Sequence, residues 1–597
     1  MSDTASSTGE RVAQALRDSP VFGSLGRVGI ARLARECTLE RVAGGEVLYE
    51  QDTPSDALYL VAHGRMRAEQ RIEGKMTVLR ELRAGETMGG LSLMAGKSHR
   101  ATLRAVRDSE VVRLPESAVE RLLYRHPTFG REAVRQWLRN VLYAPRPRTG
   151  DQRRSARTLA VVPAHDGAPV EVVADALLKS LAARGSVVRV DGKIIDGPAT
   201  PRDDGRDLSA PESVEILEAL ERDYRFVVYM ARRTDDPWCA RSLRQADRIV
   251  VVASSGFAVT DSPLTRQLTD LKGKAEPEVV IVGSGASDPL AWRQLLGARM
   301  HHRVRVGERE GFDRMVRLLT GRALGIALGG GGARGFAHLG LLQAMEKLDL
   351  HADLVVGTSM GALVGALAAS GRDAAQTRTV LNDMFVARNL LNDFTLPRIS
   401  LIRARRARQY LESVFGKTRI EEMRGYFACT TTNLSRARAE IHDRGLLAHW
   451  LVASMSVPGV APPVIYNGDV LVDGGVLTPV PSNVLADLDR GPVVASDVSA
   501  DERFGAASEE GAGSALGEGV NIFRVLYRTA TLSTREELNA RAERTDLYLR
   551  MPVSGIGMFD WDVFDNVVDR SREHAERELT AWLEREAAAE SEGGASA

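Results

Sequence analysis

The chain reads as an α/β protein built from three units: a small β-roll, a Rossmann-like α/β domain, and a second α/β domain that holds the reactive residues. Three observations predict this. At 597 residues the chain is too long for one hydrophobic core, and at roughly 150 residues per domain it divides into several. Short alternating segments punctuated by glycine fill its first quarter, as in GGEVLYEQDTPSDALYLVAHGRMRAEQ. Beyond them, continuous β-branched runs alternate with helical segments, the pattern of parallel strands buried on both faces.

The first unit spans residues 20–143, with a short helical lead-in, the β-roll and a helical close, PESAVERLLYRHPTFGREAVRQWLRNVL. Residues 144–157 mix proline, glycine and arginine and bury nothing, which predicts a solvated linker. TLAVVPA, RFVVYMA, DRIVVVAS and PEVVIVG then supply the strands of the second unit, residues 158–320. The third unit, residues 323–586, opens with ALGIALGGGGARGFAHLGLLQAMEKL, read as strand, glycine turn and helix. Small and acidic residues at 504–519 and 587–597 predict disorder.

Composition narrows the function. With 79 basic and 79 acidic residues the net charge is zero, so no global field draws the chain onto nucleic acid, and any lipid contact must be local. Cys37, Cys239 and Cys429 lie far apart and form neither a zinc spacing nor a disulfide framework, as expected in a reducing, cytoplasmic compartment. The N-terminal stretch lacks the basic and apolar regions of a signal peptide. The uncharged run Leu354 to Gly371 is as long as a short membrane span, but its glycines and the Thr358-Ser359 pair predict a buried strand-turn-helix.

That run contains the main chemical signal. In GTSMG, Gly357 to Gly361, a serine stands between an apolar strand and a helix-forming stretch, and the flanking glycines allow the tight turn that lifts a hydroxyl clear of a sheet. Upstream, Gly330, Gly331, Gly332, Ala333, Arg334 and Gly335 follow a strand and open a helix, so their N–H groups can converge on a developing negative charge. The same six residues satisfy the dinucleotide-binding G-x-G-x-x-G. An acidic ribose ligand is due about 20 residues later, and the serine turn arrives in that region instead.

For a proton acceptor, His338, His351, His442 and His449 are available, none in a distinctive turn. Asp473 is in one: DVLVDGG ends a β-like run on a carboxylate just before Gly474 and Gly475, though a plain turn aspartate would look the same. With an ordinary pKa of about 3.9, an aspartate acting as base needs a close hydrogen bond and a dry setting.

In order, GGGGARG, GTSMG, SMSVPGVAPPV and VDGGVLTPVP resemble the patatin-like phospholipases over roughly Ala323 to Ser499. PWCARSLRQADRIVVV and GIGMFDW are similar to stretches of the neuropathy target esterase family and its bacterial relatives. The resemblance implies a three-layer hydrolase domain with a Ser359–Asp473 dyad, an oxyanion site at Gly330, Gly331 and Gly332, and a structural His338. It further implies hydrolysis of phospholipid or lysophospholipid acyl esters without metal or organic cofactor, during transient contact with a membrane surface. One departure is VLTPVP after the DGG motif, where relatives often carry asparagines.

The first unit resembles the cyclic-nucleotide-binding β-roll through Gly45 to Gly64 and AGETMGGLSLMAGKSHRATLRAV. Its cassette is degenerate: Gly90 stands where a ribose-binding glutamate is expected, and the phosphate-binding arginine falls out of register, leaving Arg100 as the nearest contact. A regulatory or docking role therefore ranks above binding of a cyclic nucleotide. Arg403, Arg405, Arg406 and Arg408 lie near the reactive residues, where they face lipid phosphate or simply water. The rival readings are a nucleotide-responsive regulator using the esterase fold as an interaction module and, ranked last, a dinucleotide-dependent enzyme.

Overall fold

Burial of alternating residues from two facing sheets builds the first domain of the computed structural model. One sheet runs Thr38–Val42, Ser109–Pro115, Ala57–His63, Thr87–Met88, and the other Val47–Tyr49, Thr102–Ala105, Arg65–Ile72, Lys75–Arg83, all antiparallel. The structure describes residues 2–72, 75–126, 129–130, 133–135, 137, 156–192, 211–270, 277–285, 288–396, 398–499, 542 and 544–594. Most of the expected linker and the whole of 504–519 lie outside them.

Six parallel strands form the next sheet, in the spatial order Val187–Val190, Phe226–Met230, Thr158–Pro163, Arg248–Ser254, Pro277–Val282, Met300–Val304. Thr158–Pro163, Phe226–Met230 and Pro277–Val282 are buried at every residue, as β-branched strands covered on both faces must be.

The two sequence-predicted domains of the N-terminal half form one compact unit, residues 1–148 and 156–316. Charges that hydrophobic periodicity cannot register join them. Asp108 Oδ1 accepts from Arg244 Nε at 3.0 Å, Asp247 Oδ1 from Arg65 at 3.2 Å, and Glu218 Oε1 from the Gly64 N–H at 2.6 Å. Arg107 pairs with Glu221. Burial alone would raise the Asp108 carboxyl, but Arg244 and Arg241 beside it hold it below the usual range.

The second unit carries a mixed sheet in the order Val464–Tyr466, Asp469–Asp473, Tyr426–Asn433, Leu354–Gly357, Gly325–Leu328, Val493–Asp497, Leu547–Arg550. Its last four strands are parallel to Tyr426–Asn433, and Asp469–Asp473 is antiparallel to it. Ile326 and Leu328 pack with the helices Ala337–Lys347 and Met360–Ala369. On the other face, a Cβ at Gly325 would lie 3.1 Å from Leu485 of the helix Ser482–Leu488. Strand alternation thus gives three layers, helix, sheet and helix.

The run Leu354 to Gly371 is the strand Leu354–Gly357, a turn and the buried helix Met360–Ala369. Among the described residues no helix is long and apolar enough to cross a membrane. Composition misleads at the C-terminus: Phe564–Gly594 is one helix, so 587–594 are helical where disorder was expected. Its alanine and glutamate are strong helix formers, and a docked helix extends readily through them.

That helix crosses Ala337–Lys347 at Gly340, where a Cβ would fall 2.5 Å from the Val568 carbonyl oxygen and 2.7 Å from the Arg572 nitrogen. Neither neighbour can yield without moving the helix. Gly340→Ala is expected to destabilise this unit by about 1–3 kcal/mol, read as a lowered thermal midpoint with the transition of the N-terminal half unchanged.

Candidate active site

Close backbone approach sets the conformation of the turn at Ser359. A Cβ on Gly361 would lie 2.3 Å from the Leu328 carbonyl oxygen, and one on Gly357 would lie 2.3 Å from that of Gly361. Only glycines let the helix start this close to the sheet. Ser359, between strand and helix, is left at φ 55°, ψ −120°, a strained conformation for a residue with a side chain.

Asp473 ends its strand opposite Thr431 and reaches the same point. Its carboxylate receives a hydrogen bond from Ser359 and, at 2.7 Å on Oδ1, the N–H of Gly475. Gly474 is needed for this turn, since a Cβ there would strike Thr430 Oγ1 at 2.3 Å. Burial raises the Asp473 pKa from 3.8 to about 6, opposed by the two hydrogen bonds. Ser359 and Asp473 are 7% and 3% exposed.

The structure adds polar residues that no sequence pattern singles out. The Ser359 N–H donates to Ser454 Oγ at 3.0 Å, and Thr358 Oγ1 meets Thr430 Oγ1 at 2.7 Å while donating to the Thr478 carbonyl at 2.9 Å. Ser454 lies in SMSVPGV, whose spacing carries no chemical signature of its own.

The glycine turn is only partly available to a ligand. The Gly330 N–H already donates to the Pro479 carbonyl at 2.9 Å, so it is not free to meet a negative charge. Those of Gly331 and Gly332 carry no hydrogen bond among the described residues, and Met360, first residue of its helix, has no intrahelical acceptor for its own. Arg334 points away, donating from Nε to the Ile556 carbonyl at 2.6 Å, and Gly335 makes room for Met360.

No histidine is bonded to Ser359 among the described residues. His338 is buried between Ser496 Oγ, 3.0 Å from Nδ1, and the Gly329 carbonyl, 2.8 Å from Nε2, and burial lowers its pKa to about 4. His442 stacks on Trp450 and meets Thr431 Oγ1 at 2.7 Å. His449 packs edge-on to Trp450, and His351 is exposed beside Asp349.

Above the serine lies a cavity of about 520 Å³, walled by apolar residues including Met384, Phe385, Leu411, Val452 and Trp561. Gly332, Ser359 and Met360 line it, and so do Arg403, Arg405 and Arg408. Part of the wall comes from Met558 to Trp561, where the Met558 carbonyl also accepts the Ala333 N–H at 2.8 Å.

In the β-roll, Gly90 leaves space for the protein's own Trp137, since a Cβ would sit 2.6 Å from the indole. Trp137 Nε1 donates to Thr87 Oγ1 at 3.1 Å. His99 turns inward and stacks on Tyr49 at 3.7 Å, whereas Arg100 is exposed and carries no hydrogen bond or ion pair among the described residues. In the six-stranded domain, the loop after the first strand, Ala164 to Pro169, contains no lysine, and its His165 stacks on Phe257 at 3.5 Å.

Three family models match the chain: a cyclic nucleotide-binding domain over 39–126, a neuropathy target esterase family P-loop like domain over 155–294, and a patatin-like phospholipase over 326–486. The chain is 27% identical over 628 residues to a lysophospholipase nte1 of Aspergillus oryzae, covering 88% of this chain and 40% of the relative. Against lysophospholipase NTE1 of Mycosarcoma maydis it is 27% identical over 649 residues, covering 91% of this chain and 34% of the relative. The chain therefore spans less than half the length of these relatives. A putative cAMP-binding regulatory protein from Silicibacter pomeroyi aligns at TM-score 0.20 and 19% identity, covering 22% of this chain and 62% of that one.

Between pH 3.8 and about 6 the native protein holds a proton on Asp473 that the unfolded chain has released. Stability therefore falls as pH rises through that window, and the full penalty is present above it. Asp473→Asn removes the charge: its thermal midpoint is expected to exceed the parent's above pH about 7, by an equivalent of up to about 3 kcal/mol, and to match it below pH about 4.

Proposed function

We propose that this chain, which carries a patatin-like phospholipase domain beside a neuropathy target esterase family P-loop like domain and a cyclic nucleotide-binding domain, is a serine esterase that releases fatty acid from lysophospholipids or phospholipids. One observation carries the reading. A serine in a strained turn is hydrogen-bonded to a buried carboxylate at the base of an apolar cavity.

Ser359 Oγ attacks the acyl carbonyl carbon as its proton passes to Asp473. The oxygen that gains negative charge is met by the N–H groups of Gly331, Gly332 and Met360, the last being the residue after the nucleophile. Asp473 returns the proton to the leaving glycerol oxygen, and an acyl-serine remains. Water, losing its proton to Asp473, attacks this ester, and Asp473 passes that proton to Ser359 Oγ as the fatty acid leaves, which restores the starting pair. A dry site with a carboxylate pKa near 6 makes Asp473 a better base than an exposed aspartate, and it stays ionised at neutral pH.

The apolar wall suits an acyl chain, and the lysophospholipase names of the relatives favour single-chain substrates. The protein would meet its lipid by transient contact with a membrane surface. The β-roll serves as a docking or regulatory domain and not as a nucleotide receptor, a reading supported by the Trp137 and His99 packing at its cassette.

Fatty-acid release from lysophosphatidylcholine and from a soluble nitrophenyl ester tests the dyad. Ser359→Ala and Asp473→Asn are each expected to lower kcat by about a thousandfold or more, with circular dichroism unchanged. Parental turnover in Ser359→Ala would sink the reading. For the parent, kcat/KM should fall as pH drops through about 6, where Asp473 takes up its proton. Millimolar cyclic AMP or cyclic GMP should leave the thermal midpoint unchanged, and a rise would restore the nucleotide receptor.

A further inference from the structure

Beside the cavity an antiparallel bridge between Phe394 and Ile402 closes a short tongue, described at 394–396 and 398–402. Thr395 N donates to the Leu401 carbonyl at 2.8 Å, and Leu401 and Ile402 donate to the Gly459 and Val460 carbonyls, each at 3.0 Å. Ile402 and Val460 both line the cavity, so the base of the tongue is part of the cavity wall.

Three of its apolar side chains face outward. Phe394, Leu396 and Ile399 are 69%, 72% and 73% exposed. Three large apolar groups held in water on a hydrogen-bonded segment gain nothing from the fold itself, and such a cluster marks a surface that is covered in use.

Charge indicates what covers it. Arg398 lies in the tongue and Arg403, Arg405, Arg406 and Arg408 follow it directly in the chain, all exposed, with Arg403, Arg405 and Arg408 lining the cavity and none pairing with a carboxylate among the described residues. The nearby Asp393 is committed to backbone, accepting the Ala404 and Arg405 N–H groups at 3.1 and 2.8 Å. Exposed apolar side chains with unpaired arginines beside them in the chain complement an interface with apolar depth and anionic head groups.

We propose that the tongue and its arginines are the surface by which the protein docks on an anionic lipid bilayer, with Phe394, Leu396 and Ile399 entering the interface and the cavity mouth brought against it. The proposal rests on the esterase reading only in that acyl-chain capture gives the docking its purpose.

The test uses the full chain carrying Ser359→Ala, so that binding is measured without turnover, and co-sedimentation with vesicles of phosphatidylcholine alone or mixed with phosphatidylserine. Binding to the mixed vesicles is expected, and combined Phe394→Ser, Leu396→Ser and Ile399→Ser should weaken it about tenfold or more. Arg398→Gln with Arg406→Gln should weaken binding to mixed vesicles and leave binding to phosphatidylcholine unchanged. Placed in the active protein, the apolar triple substitution should slow release from vesicle phospholipid and spare a soluble short-chain ester.

Parental vesicle binding by the triple variant overturns the proposal. So does a parent that elutes as a dimer and a triple variant that elutes as a monomer with vesicle binding intact, which would make the tongue a contact between two copies. If Ser359→Ala keeps its esterase activity while the triple variant loses vesicles, the docking surface stands and the dyad falls.

Discussion

Everything at this site depends on how closely one helix start approaches one sheet. The backbone at Gly361 lies against the Leu328 and Gly329 carbonyls with no room for a single carbon between them. That distance dictates glycine on both sides of the turn and puts Ser359 in a conformation that the chain would not adopt on its own. The strain is held by burial of the Met360–Ala369 helix, apolar on almost every side and therefore fixed in the core. A hydroxyl placed this way is held against the Asp473 carboxylate, as the proposed nucleophile requires.

The carboxylate shows the opposite economy. Asp473 is harder to ionise where it sits than it would be in water, and its two hydrogen bonds only partly offset that. The protein gives up stability at neutral pH to keep that carboxylate buried. Histidine would ionise near pH 7 without such a device, yet His338, the buried histidine of the glycine turn, is locked between Ser496 and the Gly329 carbonyl, so it supports the turn and leaves the serine alone.

What the sequence made legible was local. GTSMG and DGG announce their turns because glycine is demanded within a few residues of the reactive group, and buried parallel strands announce themselves as unbroken β-branched runs. What it hid depends on residues far apart in the chain. The Pro479 carbonyl takes the N–H of Gly330, Ser454 holds that of Ser359, and Trp137 fills the space at Gly90. The ion pairs that merge the first two domains into one unit are likewise ordinary surface charges until the fold brings them together. Residues 587–594 depart from expectation for the converse reason, because a low-complexity tail counts as disordered only until it continues a helix that is already docked.

The wall of the cavity is assembled from both ends of its domain. Ser359 and Asp473 precede Met558, Phe559 and Trp561 by many residues, yet the Met558 carbonyl secures the glycine turn and Phe564–Gly594 covers the helix that follows it. A ribosome extends the chain from the N-terminus, so both reactive residues emerge well before the segment that closes over them. The nascent chain thus carries Ser359 and Asp473 before this cavity is complete, and the wall closes only once the Met558 to Trp561 segment has been made. Timing is built into the order of the gene, and a chain that stopped before Met558 would lack both the carbonyl that holds the glycine turn and one side of the cavity.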